Sequence, residues 1–381
     1  MAELSFRPRP RSAVLESRPY EPGRSPADLS PEARRRARAV KLASNENPFG
    51  PSPRVGPALA GALAELGRYP DPSGRGLRAA IADRLGVPPE AIVLAGGSDQ
   101  VLGWLAQVFL DADRAAVVSR HTFPTYRMVA LASGAEVAVV PSRPEDDPRP
   151  FAHDPEALAA RAARGGGILF LDNPGNPVGC VFERPALARL LETVPPEVLV
   201  VIDEAYIDYV DDPAAVTALP LLARHPNLVV TRTFSKIYGL AGARLGFGLM
   251  HPEAAALVAR IRLPFSVSSP ALAAGEVAWG DGEHYRRSRE HVLAERPRLA
   301  TELARRGWRV LPSAANFLTA RPPVPAARVF DVLFREGIIL RPLRGEGIDA
   351  YLRITIGTRE EDDLLLEVLD HPGPAGGGGT S

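Results

Sequence analysis

The chain has 381 residues, with 45 basic and 45 acidic side chains and a formal net charge of zero, so bulk charge favours neither nucleic acid nor an anionic membrane as a partner. A hydrophobic fraction of 45% over this length allows one large domain and a smaller one. The single cysteine, Cys180, excludes an internal disulfide and a cysteine metal cluster.

Met1 to Arg11 lack an apolar run, and no stretch reaches the roughly 18–20 uninterrupted apolar residues of a membrane helix. A soluble cytoplasmic protein is the expectation. Residues 1–40, rich in Pro and Arg, read as an amino-terminal arm, with Arg34 to Arg38 as a candidate short exposed helix. Ala91 to Ala95, Ala115 to Ser119, Ile168 to Leu171, Val198 to Ile202, Asn227 to Thr231 and Leu245 to Met250 read as buried strands. Helical patterns such as Gln100 to Leu110 and Pro185 to Thr193 separate most of them. That alternation predicts an α/β domain over residues 41–265, with a mainly parallel central sheet and helices on both faces. After Pro264 the pattern changes. A long charged helix is predicted around Gly282 to Arg305. Short strands follow near Trp308 to Leu311, Asn316 to Ala320 and Leu352 to Ile356. Together they predict a smaller α+β domain over 266–370. The tail, 371–381, carries Gly376 to Gly379 and reads as disordered.

Chemistry concentrates in the turns after the strands. Thr231 to Gly246 sets Lys236 behind two hydroxyls, Thr233 and Ser235, and eight positions before Arg244. A lysine that holds a phosphorylated aldehyde needs this equipment: an amine to form the imine, and hydroxyls and a guanidinium for the phosphate. A buried lysine in such a loop can lose proton affinity, which makes it a usable imine-former and proton shuttle. Asp203 ends an apolar strand and is followed by Glu204-Ala205-Tyr206. A carboxylate there points into the crevice where α/β sheets bind ligands, although a strand-ending Asp is also a common helix cap. Asn173-Pro174-Gly175-Asn176-Pro177-Val178-Gly179 is a rigid loop that presents the Asn176 amide. Gly96-Gly97-Ser98-Asp99 joins a strand to a helix and offers free amides to an anion. Arg353 and Thr355 alternate with Leu352, Ile354 and Ile356, so they face the opposite side of their strand. Arg341 is equally readable as a surface ion-pair residue. The seven histidines show no His-Glu-x-x-His spacing, and there is no Gly-x-Ser-x-Gly elbow, so neither a metal centre nor a hydrolase is expected.

The Lys236 segment resembles the Schiff-base lysine motif of pyridoxal-phosphate (PLP) aminotransferases of the aspartate-aminotransferase superfamily. The Asp203-Glu204-Ala205-Tyr206 and Asn-Pro segments are similar to that superfamily's own. Arg18-Pro19-Tyr20-Glu21-Pro22-Gly23 resembles the amino-terminal segment of histidinol-phosphate and related aromatic aminotransferases, and Lys41 to Gly50 resembles the family's entrance segment. The likeness runs from about Arg18 to Leu369 and departs at Val178, where the family usually carries threonine. It implies a PLP-dependent transferase of fold type I, a homodimer with shared sites, and small amine and keto-acid substrates. L-histidinol phosphate is the favoured donor. Phenylalanine or a secondary-metabolism amine is the rival, because Leu263 to Ser269 also suits aromatic aminotransferases.

The resemblance also assigns roles. It implies Lys236 as the imine-forming lysine and Asp203 as the partner of the pyridine nitrogen. Asn176 and Tyr206 contact the phenolic oxygen, and Phe123 stacks on the ring. Gly97, Ser98, Asp99, Thr233, Ser235 and Arg244 lie at the phosphate turn and the lysine loop, and Tyr69 reaches the phosphate of the neighbouring subunit. Tyr20, Asn47, Arg341 and Arg353 are implied substrate residues.

Overall fold

A computed structural model describes residues 12–17, 19, 23–31, 39–345 and 347–371. Tyr20, the Arg34 to Arg38 segment and the tail beyond His371 lie outside the described residues. The strands run β1 Val40–Lys41, β2 Ile92–Ala95, β3 Ala115–Ser119, β4 Val137–Val140, β5 Gly166–Asp172, β6 Leu199–Asp203 and β7 Leu228–Thr233. They continue with β8 Gly246–Met250, β9 Arg309–Val310, β10 Phe317–Arg321, β11 Ile338–Ile339, β12 Arg341–Pro342 and β13 Leu352–Thr355.

Seven strands form the large sheet in the order β2-β8-β7-β6-β5-β3-β4. From β7 to β4 every neighbouring pair is parallel, whereas β8 is antiparallel to both β7 and β2. The strands alternate between two apolar layers. Leu169, Leu171, Val200, Ile202 and Val230 face one core cluster, and Ile168, Phe170, Leu199, Val201 and Val229 face the other. Both faces of the sheet are therefore covered, which is why the central strands read as uninterrupted apolar runs.

The sheet has one strand that the sequence reading lacked. β4, at the edge and fully buried only on alternate residues, is a four-residue apolar run, short enough that pattern alone does not separate a strand from a piece of buried helix. The carboxy-terminal part holds a four-stranded antiparallel sheet, β12-β13-β10-β9. β1 pairs in parallel with β11, tying the segment before the large sheet to the smaller unit. The pieces β1, β11 and β12 are two residues each, too short to show a period. The long helix spans Gly282–Arg305 as expected, and its buried residues include Ser288, Val292 and Leu299. No helix among the described residues is long and apolar enough to cross a membrane.

Candidate active site

The carboxyl ends of β3, β5, β6 and β7 open into one cavity of about 230 Å3, the crevice position expected of a parallel sheet. Its wall contains Lys236, Asp203, Tyr206, Asn176, Phe123, Ser98, Asp99, Thr233, Ser235, Arg244, Arg341 and Arg353. Residues from five turns and two carboxy-terminal strands thus converge.

Lys236 Nζ donates to Ser44 O at 3.1 Å and lies 5.5 Å from the centre of the Tyr206 ring. Burial, reinforced by the Arg353 guanidinium, pushes the amine down to about 8. Gly239, just beyond, has φ +65°, and a Cβ there would stand 2.1 Å from Gly50 O. Only glycine permits that approach, which seats the lysine loop against the Lys41 to Gly50 segment.

Asp203 is buried at the tip of β6. Burial first, and the neighbouring Asp172 second, push its carboxyl up to about 7. Tyr126 donates to Oδ2 at 3.0 Å and Ala205 N–H donates to Oδ1 at 3.1 Å. Among the described residues no basic side chain stands within ion-pair distance of Asp203. Tyr206 accepts an Asn45 Nδ2 hydrogen bond on its hydroxyl at 2.9 Å. Burial pushes that phenol up to about 12.

On the other side, Gly97 (φ +95°) precedes the helix Ser98–Phe109. A Cβ at Gly97 would lie 2.7 Å from Arg244 Nη2, so the missing side chain leaves room for the guanidinium beside the helix amides. Arg244 itself adopts φ +53°. Its Nη1 donates to Ala241 O at 2.9 Å and reaches Ser235 Oγ at 3.5 Å, and its Nη2 stands 3.7 Å from Asp99 Oδ2. The Ser235 hydroxyl, the Arg244 guanidinium and a helix N-terminus make an anion site, with Thr233 Oγ1 bracing the Ser235 backbone N–H.

Arg353 Nη1 donates to Asn176 Oδ1 at 2.6 Å, and Nη2 donates to Ala43 O at 2.8 Å. Arg341 lines the same side, close against Gly23 of the amino-terminal arm.

Three of the described site residues are not part of the cavity wall: Gly97, which borders it behind Arg244, Asn47 and Tyr69. Asn47 is turned away: its Nδ2 donates to Ile237 O at 2.7 Å and to Ser288 Oγ at 3.0 Å. It ties the lysine loop to the long helix, and Asn45, at φ +55°, faces the cavity instead. Tyr69 is 82% exposed and stacks on Phe265 with centroids 4.5 Å apart. Val178 packs in an apolar cluster with Leu311, Leu343, Ile348 and Tyr351, where a threonine hydroxyl would need a partner.

Sequence reasoning missed Tyr126, Asn45 and Asp172, all of which line the cavity. Tyr126 could have been found, because it follows Phe123 by three residues and the turn that closes from Tyr126 N–H to Phe123 O brings the two rings together.

The family model for class I and II aminotransferases matches residues 37–369. A histidinol-phosphate aminotransferase of Nitrosococcus oceani is 39% identical over 97% of this chain and 98% of its own length. One from Anaeromyxobacter sp. is 42% identical over 93% of this chain and 96% of its own. The crystal structure of histidinol-phosphate aminotransferase from Sinorhizobium meliloti in complex with pyridoxal-5'-phosphate superposes with a TM-score of 0.82. It has 30% identity and covers 94% of this chain and 96% of that one. The chain belongs to the class I and II aminotransferases and, within them, to the histidinol-phosphate aminotransferases.

Proposed function

We propose that the cavity binds pyridoxal 5'-phosphate and that the protein transfers an amino group from L-histidinol phosphate to 2-oxoglutarate. The products are imidazole acetol phosphate and L-glutamate, a step of histidine biosynthesis. The observation that carries this reading is the placement of Lys236. Its amine, lowered to about 8, shares one cavity with a buried carboxylate and an anion site.

The donor set fits the cofactor. The gap at Gly97 and the Arg244 guanidinium suit its phosphate. Asp203, buried and lacking a basic partner among the described residues, suits a protonated pyridine nitrogen. When bound, the cofactor supplies a conjugated cationic ring that accepts the electron pair left at the substrate carbon. The remaining work is done by the chain. Lys236 is the amine that holds the aldehyde at rest. With that group bound, the Lys236 amine would be placed to take a proton from the donor's amine-bearing carbon and give it back, as general base and acid. Asp203 would keep the ring nitrogen protonated, and Tyr126 and the Ala205 amide hold that carboxylate in place. Tyr206 and Asn176 would bond the phenolic oxygen, and Phe123 and Tyr126 form the aromatic wall of the cavity. Arg353 and Arg341 take the donor's phosphate, and Arg353 takes the carboxylate of the keto acid when the roles reverse.

The protein acts as a homodimer in this reading. Tyr69, 82% exposed, stacks on Phe265, and this exposed aromatic pair is suited to a second copy. Tyr69 then reaches the partner's phosphate site. The enzyme works in the cytoplasm. The amino-terminal arm (1–40), the PLP domain (41–265) and the smaller domain (266–370) divide the labour between donor closure, chemistry and substrate binding.

The test is an absorbance titration of the PLP-loaded protein, without keto acid, by L-histidinol phosphate and separately by L-phenylalanine. Conversion of the cofactor band at low histidinol phosphate, with phenylalanine much weaker, is expected. A preference for phenylalanine would move the protein to the aromatic aminotransferases.

A further inference from the structure

Asp172 ends β5 one strand over from Asp203, and the two are register partners in that parallel pair. Both are buried. The transamination steps above make no use of Asp172, yet its carboxylate is heavily engaged. Oδ1 accepts the Thr122 hydroxyl at 2.5 Å and lies 2.9 Å from Nε2 of the fully buried His153. That imidazole stands at ion-pair distance but out of line for a hydrogen bond. Oδ2 accepts the Asn176 backbone N–H at 2.7 Å. Asn176 Oδ1 in turn accepts Arg353 Nη1 at 2.6 Å. A run of contacts thus leads from a buried carboxylate, through a backbone amide, to a guanidinium at the cavity wall.

A second carboxylate beside Asp203 is unfavourable in itself, because like charges in a buried site oppose one another. A neutral acceptor at position 172 could satisfy the Asn176 amide without that repulsion. What the charge adds is strength: a carboxylate holds a backbone N–H about twice as firmly as a neutral oxygen does. The loop it grips carries the Asn176 side chain, and that side chain carries the Arg353 fork.

We propose that Asp172, backed by His153, is a positioning residue. It clamps the Asn176 backbone and so holds the Asn176–Arg353 pair in the orientation that receives the anionic group of the substrate. The clamp rests on the reading of this cavity as a PLP site with Arg353 on its substrate side. Lys236 Nζ and the Tyr126–Asp203 bond lie outside this run of contacts. Asp172 also bears on Asp203 through its charge, which helps push that carboxyl up; removing the charge favours the ionised Asp203 that the reaction needs, so loss of the clamp acts on substrate binding more than on proton transfer.

The experiment compares wild type, Asp172→Asn and His153→Gln as full-length, PLP-loaded proteins. In Asp172→Asn the KM for L-histidinol phosphate is expected to rise about tenfold, with kcat within about threefold. An unchanged KM, or KM and kcat impaired together, overturns the proposal. His153→Gln leaves the carboxylate and its bond to Asn176 in place, and its KM is expected to shift the same way by less. If Asp172→Asn does not fold, an unchanged KM in His153→Gln overturns the proposal. A crystal structure of cofactor-free Asp172→Asn separates this question from the cofactor reading, since it needs no PLP. Loss of the Asn176 Oδ1–Arg353 Nη1 contact supports the clamp, and its retention refutes it. Failure of wild type to take up PLP would count against the cofactor reading alone.

Discussion

Replacing Lys236 with methionine in the cofactor-free protein is expected to increase stability, and to do so only over part of the pH range. The amine is pushed from 10.5 to about 8 by burial and by Arg353. An unfolded chain keeps its proton up to 10.5, whereas the native protein releases it near 8. Between those values the unfolded state binds more protons, so native stability climbs with pH. Below about 8 the native state carries the full cost of the charge. The displacement corresponds to about 3 kcal/mol, and water reaching the cavity screens part of it, leaving about 1–3 kcal/mol. Methionine keeps the length of the side chain and removes the charge. Urea denaturation of both proteins checks the idea at about pH 7, 9 and 10.5. The advantage of the variant should be about 1–3 kcal/mol at the lowest pH and fall below about 0.5 kcal/mol at the highest. A wild type at least as stable near neutrality, or a difference that ignores pH, would refute the reasoning that the cavity strains its lysine.

Three further outcomes follow from the same geometry. Asp203→Asn removes the charge that Tyr126 bonds at 3.0 Å. It should bind PLP yet slow single-turnover amino transfer by about a hundredfold to ten-thousandfold, and a loss under about tenfold would clear Asp203 of the role. Gly97→Ala places a Cβ 2.7 Å from Arg244 Nη2 at φ +95°. PLP affinity should weaken about tenfold or more by absorbance titration, and an unchanged dissociation constant would remove Gly97 from the phosphate site. Tyr69→Ala and Lys236→Ala, each inactive alone, should recover up to about a quarter of wild-type activity when mixed and refolded, because hybrid dimers regain one intact site. No recovery would mean that Tyr69 is not shared between subunits.

The sequence was most readable where chemistry depends on local turns. Lys236 with its hydroxyls, the doubled Asn-Pro loop and the carboxylate tip at Asp203 each declare themselves within a few residues. Central strands such as β5 and β6 were readable because both of their faces are buried, which enforces continuous apolar runs. The edge strand β4 was not, because its apolar run is only four residues, a length at which pattern alone does not separate strand from helix. Asn45 and Asn47 show a different limit. They are two positions apart, and which one faces the cavity depends on Asn45 N–H meeting Thr355 Oγ1, 310 residues away. The same holds for Asp172. Its proximity to Asp203 follows from strand order, and its contact with His153 from a turn between β4 and the next helix, neither of which local pattern specifies.

The site's electrostatics also say what the cavity is built to receive. Lys236 is held with too little affinity for its proton, and Asp203 with too much, and burial is the first cause in both cases. Each displacement is a cost to the folded protein without ligand. An aldehyde removes the first, since bonding it takes the free amine out of the titration. A protonated ring nitrogen removes the second by giving Asp203 the cation it lacks. A phosphate beside Arg244 and the Ser98 amide completes the balance at the third corner. One molecule carrying all three groups relieves all three positions at once, so its binding should stabilise the fold more than the separate pieces do. Pyridoxal 5'-phosphate should therefore raise the melting temperature more than inorganic phosphate and pyridoxal added together. Equality between the two would mean that the three positions act independently and that the cavity was not shaped around a single ligand.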